Sequence, residues 1–133
     1  MEFDPSAPIW SQLLDEFRSR IATGAWPPES KLPSVRDLAV EFGVNPNTVQ
    51  RALTELDRLG LTTAQRTAGR FVTASDKQTE EERHDLAVAA TDTCVTALRG
   101  LGLSKTAATR LLGQRWDEPG VGFAPSSMKK EQS

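Results

Sequence analysis

SVRDLAVEFGVNPNTVQRALTELDRLG, residues 34–60, carries two helical periods that meet at one glycine. In its first part Val35, Leu38, Ala39 and Phe42 recur at helical spacing. Ser34 stands where an N-cap belongs, and Asp37, three residues on, completes a capping-box-like signature. Gly43 is the stop. Val44 alone separates it from a second helix, with Asn45 as cap and Pro46 in the first turn, where proline is tolerated. Val49, Ala52, Leu53, Leu56 and Leu59 form the apolar stripe of this helix, and Gly60 closes it. Ala39 lies four positions before Gly43 and Val49 six after it. A small residue lets the helices cross closely, the glycine permits a positive backbone angle, and the branched residue locks the second helix onto the first. That is the spacing of a DNA-reading helix-turn-helix.

The flanks extend the pattern. Residues 8–24, PIWSQLLDEFRSRIATG, predict a helix, with Ile9, Leu13, Phe17 and Ile21 four apart, Pro8 in its first turn and Gly24 at its end. AWPPESKLP, residues 25–33, has too little pattern for an element and reads as a connector. LTT (61–63) and RFVT (70–73) read as short strands with Gly69 in the turn between them. Such a hairpin must pack on the helices, since two short strands do not stand alone. Residues 74–79 read as a polar linker. A long helix is expected from about Glu80 to Leu101, with Leu86, Ala90, Cys94, Ala97, Leu98 and Leu101 on one side. Ser104 caps a last helix bearing Ala107, Ala108, Leu111, Leu112 and Trp116. The expected fold is therefore mostly α with a small β-hairpin wing. It divides into a winged helix-turn-helix over 8–75, a two-helix dimerisation region over 80–116 and a disordered tail over 117–133.

Composition bounds the function. Of the 133 residues, 38% are hydrophobic and 26% charged, the balance of an ordinary globular chain. No apolar run reaches the length of a membrane span, and no signal-peptide pattern opens the chain. One cysteine cannot build a disulfide framework, so a cytoplasmic location is expected. One histidine and one cysteine predict no metal and no organic cofactor, and neither a nucleophile–base pair nor a phosphate loop suggests an enzyme. Net charge is −2, with 8 basic and 9 acidic residues up to Ser75 and the same after it. Phosphate neutralisation supplies most non-specific DNA affinity, so any DNA surface here must come from local clustering of cations.

Residues 8–73 closely resemble the GntR family of bacterial repressors. The matching residues are Pro8-Ile9-Trp10, Leu32-Pro33-Ser34 with Arg36, Leu38-Ala39, Gly43-Val44, Thr48-Val49, Ala52-Leu53, Leu56, Gly60-Leu61, and Gly69 with Phe71-Val72. The run from Asn45 to Val49 and the small C-terminal part resemble the YtrA-like branch. The resemblance implies a homodimer that binds a twofold-symmetric operator in double-stranded DNA and represses transcription. A small-molecule effector is compatible with it, and its nature is not encoded legibly. There are departures. Pro46 and Gln50 replace arginines usual in the recognition helix, Thr67 replaces the first wing glycine, Arg70 replaces a threonine, and Glu29 replaces a connector glycine.

At about 100° per residue, the stripe of the second helix leaves Asn47, Arg51, Thr54 and Arg58 opposite it and Gln50 on the flank. Its first turns enter the groove, so Asn47, Gln50 and Arg51 are the candidate base readers, by bidentate matching to adenine and guanine. Thr48 joins them. Arg36 resembles the family's DNA-contacting arginine, and its alternative is an ion pair in the neighbourhood of Asp37 or with Glu41. For Arg51 the alternative is a pair with Glu55 one turn on. Asn45 and Ser34 are candidate contacts that also serve as caps. Lys31, Arg66, Gly69 and Arg70 complete the set around the wing, where the arginines could equally serve solubility. Trp10 and Trp26 read as packing, His84 as solvated, and Cys94 as a core thiol. The rival to a DNA-binding regulator is a winged-helix adaptor that engages a protein partner and no DNA.

Overall fold

The computed structural model describes residues 1–120. Its elements are α1 (Ile9–Ala22), α2 (Val35–Phe42), α3 (Pro46–Arg58), β1 (Thr62–Gln65), β2 (Gly69–Val72), α4 (Asp76–Gly100) and α5 (Lys105–Trp116). Two compact units emerge, Met1–Arg83 and the residues from His84 onward.

In the first unit α1 and α2 both pack on α3. Leu13, Phe17, Leu38, Val49, Ala52 and Leu56 are fully buried, each on the face its spacing predicted. The helix ends follow local chemistry. Ser34 Oγ accepts the Asp37 N–H at 3.0 Å and Asn45 Oδ1 accepts the Asn47 N–H at 2.8 Å, so both residues act as caps. Gly43 is left-handed, φ 65° and ψ 38°. Around it Val44 N–H donates to the Ala39 carbonyl and Gly43 N–H to that of Val40, the paired bonds of a Schellman stop.

The hairpin is antiparallel, with Thr62 opposite Val72 and Gln65 opposite Gly69. Its strands reach nearer the tip than expected, which leaves Arg66, Thr67 and Ala68 as the loop. The connector forms no named strand, yet it pairs with β2. Leu32 N–H donates to Arg70 O, Val72 N–H to Ser30 O, and Glu29 N–H to Val72 O. Glu29 adopts φ 65° in this connector, the one non-glycine residue at positive φ among those described. Left-handed backbone costs a side-chain-bearing residue about 1–2 kcal/mol, against roughly 0.5–1 kcal/mol of extra chain entropy for glycine. Glu29→Gly should therefore raise the thermal midpoint by a few degrees. A fall in a melting experiment would show that the Glu29 side chain contributes more than its backbone costs.

Two expectations need correction. No polar linker spans 74–79, because α4 begins at Asp76. Ser75 Oγ accepts the Gln78 N–H and Gln78 Oε1 accepts the Ser75 N–H, a reciprocal capping box. The first turns of α4 also belong to the first unit. Arg18 donates from Nε and Nη2 to Glu82 at 2.7–3.2 Å, and Arg83 reaches the Ala22 carbonyl at the end of α1.

The second unit consists of the rest of α4 and α5, joined by a short turn. Its turn holds Gly102 at φ 84°, and Ser104 caps α5 by accepting the Ala107 N–H. No α5 residue is buried. Leu101, Leu111, Leu112 and Trp116 are all exposed, as are Val88 and Val95 on α4. Cys94 is half-buried beside a groove, not enclosed in a core within this chain. Asp117–Gly120 form a turn. The rest of the expected disordered tail, 121–133, lies outside the described residues.

Candidate nucleic-acid interface

The recognition helix is held by one face and presents the other. Val49, Ala52, Leu53 and Leu56 are at most 1% exposed, while Asn47, Gln50, Arg51 and Thr54 are exposed. Thr48 is half-buried. The Asn47 side chain makes no hydrogen bond among the described residues. Gln50 Nε2 lies 3.3 Å from Thr54 Oγ1 and its carbonyl accepts from the same hydroxyl. The caps leave chemistry to spare. Asn45 uses its side-chain oxygen and keeps its amide N–H groups, and Ser34 uses one lone pair and keeps its O–H donor.

Ion pairing sorts the cations of this unit. Arg18 binds Glu82, Arg20 binds Glu16 and Glu41, Arg58 binds Glu55, and Arg70 binds Asp57. Arg83 binds Glu80, and among the described residues of this unit Lys31, Arg36, Arg51 and Arg66, together with Lys77 on the first turn of α4, make no ion pair and are exposed. Of the partners considered for Arg36 and Arg51, Glu41 is taken by Arg20 and Glu55 by Arg58, and Arg36 makes no ion pair with Asp37 either. Arg20 also lies over the rings of Trp26 and Phe42, at 5.4 and 5.0 Å. Its hydrogen bond to Glu41, with the charge of Glu16 nearby, raises its pKa further above an already high value.

Arg70 occupies a different place from the other wing cations. Nε and Nη2 grip both Asp57 oxygens at 3.0–3.3 Å, and Thr62 donates to the same carboxylate at 2.6 Å. This three-way contact ties the wing to the end of α3. Arg66 projects from the hairpin loop. Gly69 has φ 108°, a backbone angle that favours glycine, and the nearest atom to a Cβ there would be Lys31 Cε at 2.7 Å, which the flexible lysine side chain can relieve by moving. Sequence spacing did not reveal one contact: the Arg51 guanidinium lies 4.3 Å from the Trp10 ring centroid.

A trihelical core with the second of two tightly crossed helices exposed, and a hairpin wing beside it, defines the class: a winged helix-turn-helix that binds DNA. Residues 10–72 match the family described as bacterial regulatory proteins, gntR family. Among similar chains, an uncharacterised HTH-type transcriptional regulator of Bacillus subtilis, YhcF, is 35% identical over 104 residues, covering 78% of this chain and 86% of that one. The HTH-type transcriptional repressor YtrA of the same species is 37% identical over 81 residues, covering 59% and 62%. A GntR family transcriptional regulator from Listeria monocytogenes superposes with a TM-score of 0.75 at 31% identity over 84% of this chain and 98% of that one. The DNA-binding domain of AraR, solved in complex with an operator, matches 55% of this chain and 93% of that chain at 28% identity, TM-score 0.51. The chain belongs to the gntR family. It is a DNA-binding transcriptional regulator, which decides against the adaptor reading.

Proposed function

We propose that the protein represses transcription in the cytoplasm by binding a twofold-symmetric operator as a homodimer, one α3 per major groove. The winged helix-turn-helix, residues 8–75, supplies the contacts, and the helices over 80–116 supply the dimer. The observation that carries this reading is a local cluster of available cations: among the described residues of the first unit, Lys31, Arg36, Arg51 and Arg66 are exposed, make no ion pair and belong to the helix-turn-helix, its connector or the wing, and only Lys77, on the first turn of α4, is unpaired outside them. They answer the difficulty set by a net charge of −2. Asn47, Gln50 and Arg51 read base edges. Arg36 reaches the groove from the start of α2, while Lys31, Arg66, Thr48, Ser34, Asn45 and the backbone at Gly69 hold phosphates. Arg70 serves by fixing the wing on Asp57. The relative solved on an operator and the relative named a repressor support operator binding and repression respectively.

The dimer reading is supported by the uncovered apolar side chains of α4 and α5. A groove of about 590 Å³ between them is lined by Cys94, Val95, Leu98, Leu103, Ala108 and Leu112. A twofold interface places the same surface of both copies against each other, which suits one stripe repeated on two subunits.

The test begins with selection of a binding sequence from a pool of random duplexes. The enriched sequence should contain an inverted repeat. On that duplex Arg36→Ala should cost about 1–3 kcal/mol and much less on a scrambled one. If Arg36 only neutralises phosphate, both affinities fall alike and the salt slope shrinks by about one. Near wild-type binding by both Arg36→Ala and Arg51→Ala would move the DNA face elsewhere.

A further inference from the structure

We infer that Trp10 is a positioning residue for DNA recognition, holding the Arg51 guanidinium ready for a base edge through their stacked contact. The inference rests on the reading of Arg51 as a base contact and adds the group that orients it.

The geometry distinguishes Arg51 from the other arginines of its unit. Arg20, Arg58 and Arg70 direct their N–H groups at carboxylates. Arg51 is exposed, makes no ion pair among the described residues and lies 4.3 Å from the centroid of the Trp10 ring. A guanidinium is planar, and its five donors lie in the plane, so stacking engages its face and leaves its edge available. A free arginine side chain has many rotamers, and ordering them at the moment of binding weakens affinity. The ring removes part of that cost in advance without consuming a donor. Trp10 can do so because it sits at the second residue of α1, the helix packed most closely on α3, and is itself half-buried. Its backbone is therefore fixed by the same α1–α3 packing that fixes the recognition helix.

The experiment is a double-mutant cycle on the full-length protein, using the duplex selected from random sequence and a scrambled duplex. Trp10→Leu should weaken binding to the selected duplex roughly 2- to 30-fold, the range of a cation–π contact, and change scrambled-duplex binding far less. In an Arg51→Ala background the same substitution should have no further effect. Trp10→Phe, which keeps an aromatic face, should lose less than Trp10→Leu. It also allows the cycle to be closed if the leucine variant does not fold. An equal loss in both backgrounds would overturn the inference, because Trp10 would then act on the fold alone. Tighter binding by Trp10→Leu would overturn it too, because the stack would then compete with DNA. Either result leaves the Arg51 reading standing if Arg51→Ala still weakens selected-duplex binding. No effect of Arg51→Ala would remove that reading and this inference together.

Discussion

Val95→Glu combined with Leu112→Glu should convert the protein to a monomer in sedimentation and weaken binding to the selected operator by about 100-fold or more. The side chains are 39% and 52% exposed, so in a single chain the new carboxylates remain solvated and little packing is lost. In a twofold interface each would face apolar surface of the other copy, with like charges brought together and partly dehydrated. The loss on DNA follows from linkage. Once one winged unit of a dimer is bound, the second half-site is met at an effective concentration near millimolar, and two separate monomers forgo that gain. Thermal unfolding of the Met1–Arg83 unit should remain as in the wild type. A dimer that persisted with unchanged operator affinity would place the interface elsewhere. A monomer with unchanged affinity would show that one winged unit suffices.

Such a variant isolates dimerisation because the chain divides within α4. The first turns of α4 are held to the winged unit by Glu82 and Arg83, whose partners lie on α1. A cut at Ser75 would remove both. The loss of DNA binding that followed would mix a damaged first unit with a missing interface.

The helix-turn-helix was legible because its determinants are local. Ser34 with Asp37, Gly43, and Asn45 with Pro46 sit within one turn of the backbone groups they satisfy, and the buried stripe follows a single period. The start of α4 is marked in the same way, by Ser75 and Gln78, but that signature lies in a polar stretch with no apolar stripe beside it to single it out. What spacing along the chain could not reveal was pairing across it. Asp57 and Arg70 lie 13 residues apart, Arg18 and Glu82 lie 64 apart, and Arg51 meets Trp10 from another helix. Which cations of a nearly neutral chain stay available to DNA depends on those distant partners. The face of α3 could therefore be read from sequence, and the division of its arginines between fold and DNA could not.

Phe17→Ala should be the most destabilising of the substitutions considered, at about 3–5 kcal/mol. Phe17 is 0% exposed at the centre of the first unit. Its ring packs 5.3 Å from that of Trp26 in the connector and 5.9 Å, edge-on, from that of Phe42 at the end of α2. Removing it opens a cavity among three segments that cannot collapse together, because α1, α2 and the connector are each fixed at other points. Arg20 lies over both partner rings and would lose the platform beneath it. For a unit of this size the loss corresponds to a fall in thermal midpoint of at least about 12 °C, from a total stability of only about 5–15 kcal/mol. Phe17 lies far inside the surface assigned to DNA, so the variant molecules that remain folded at low temperature should keep the wild-type preference for the selected duplex over a scrambled one. Calorimetry or circular dichroism gives the midpoint, and binding at 5–10 °C below it gives the preference. A shift under about 4 °C would mean that the aromatic cluster is not close-packed. A preference lost while the protein is still folded would mean that the cluster sets the angle of the helix-turn-helix on DNA as well as its stability.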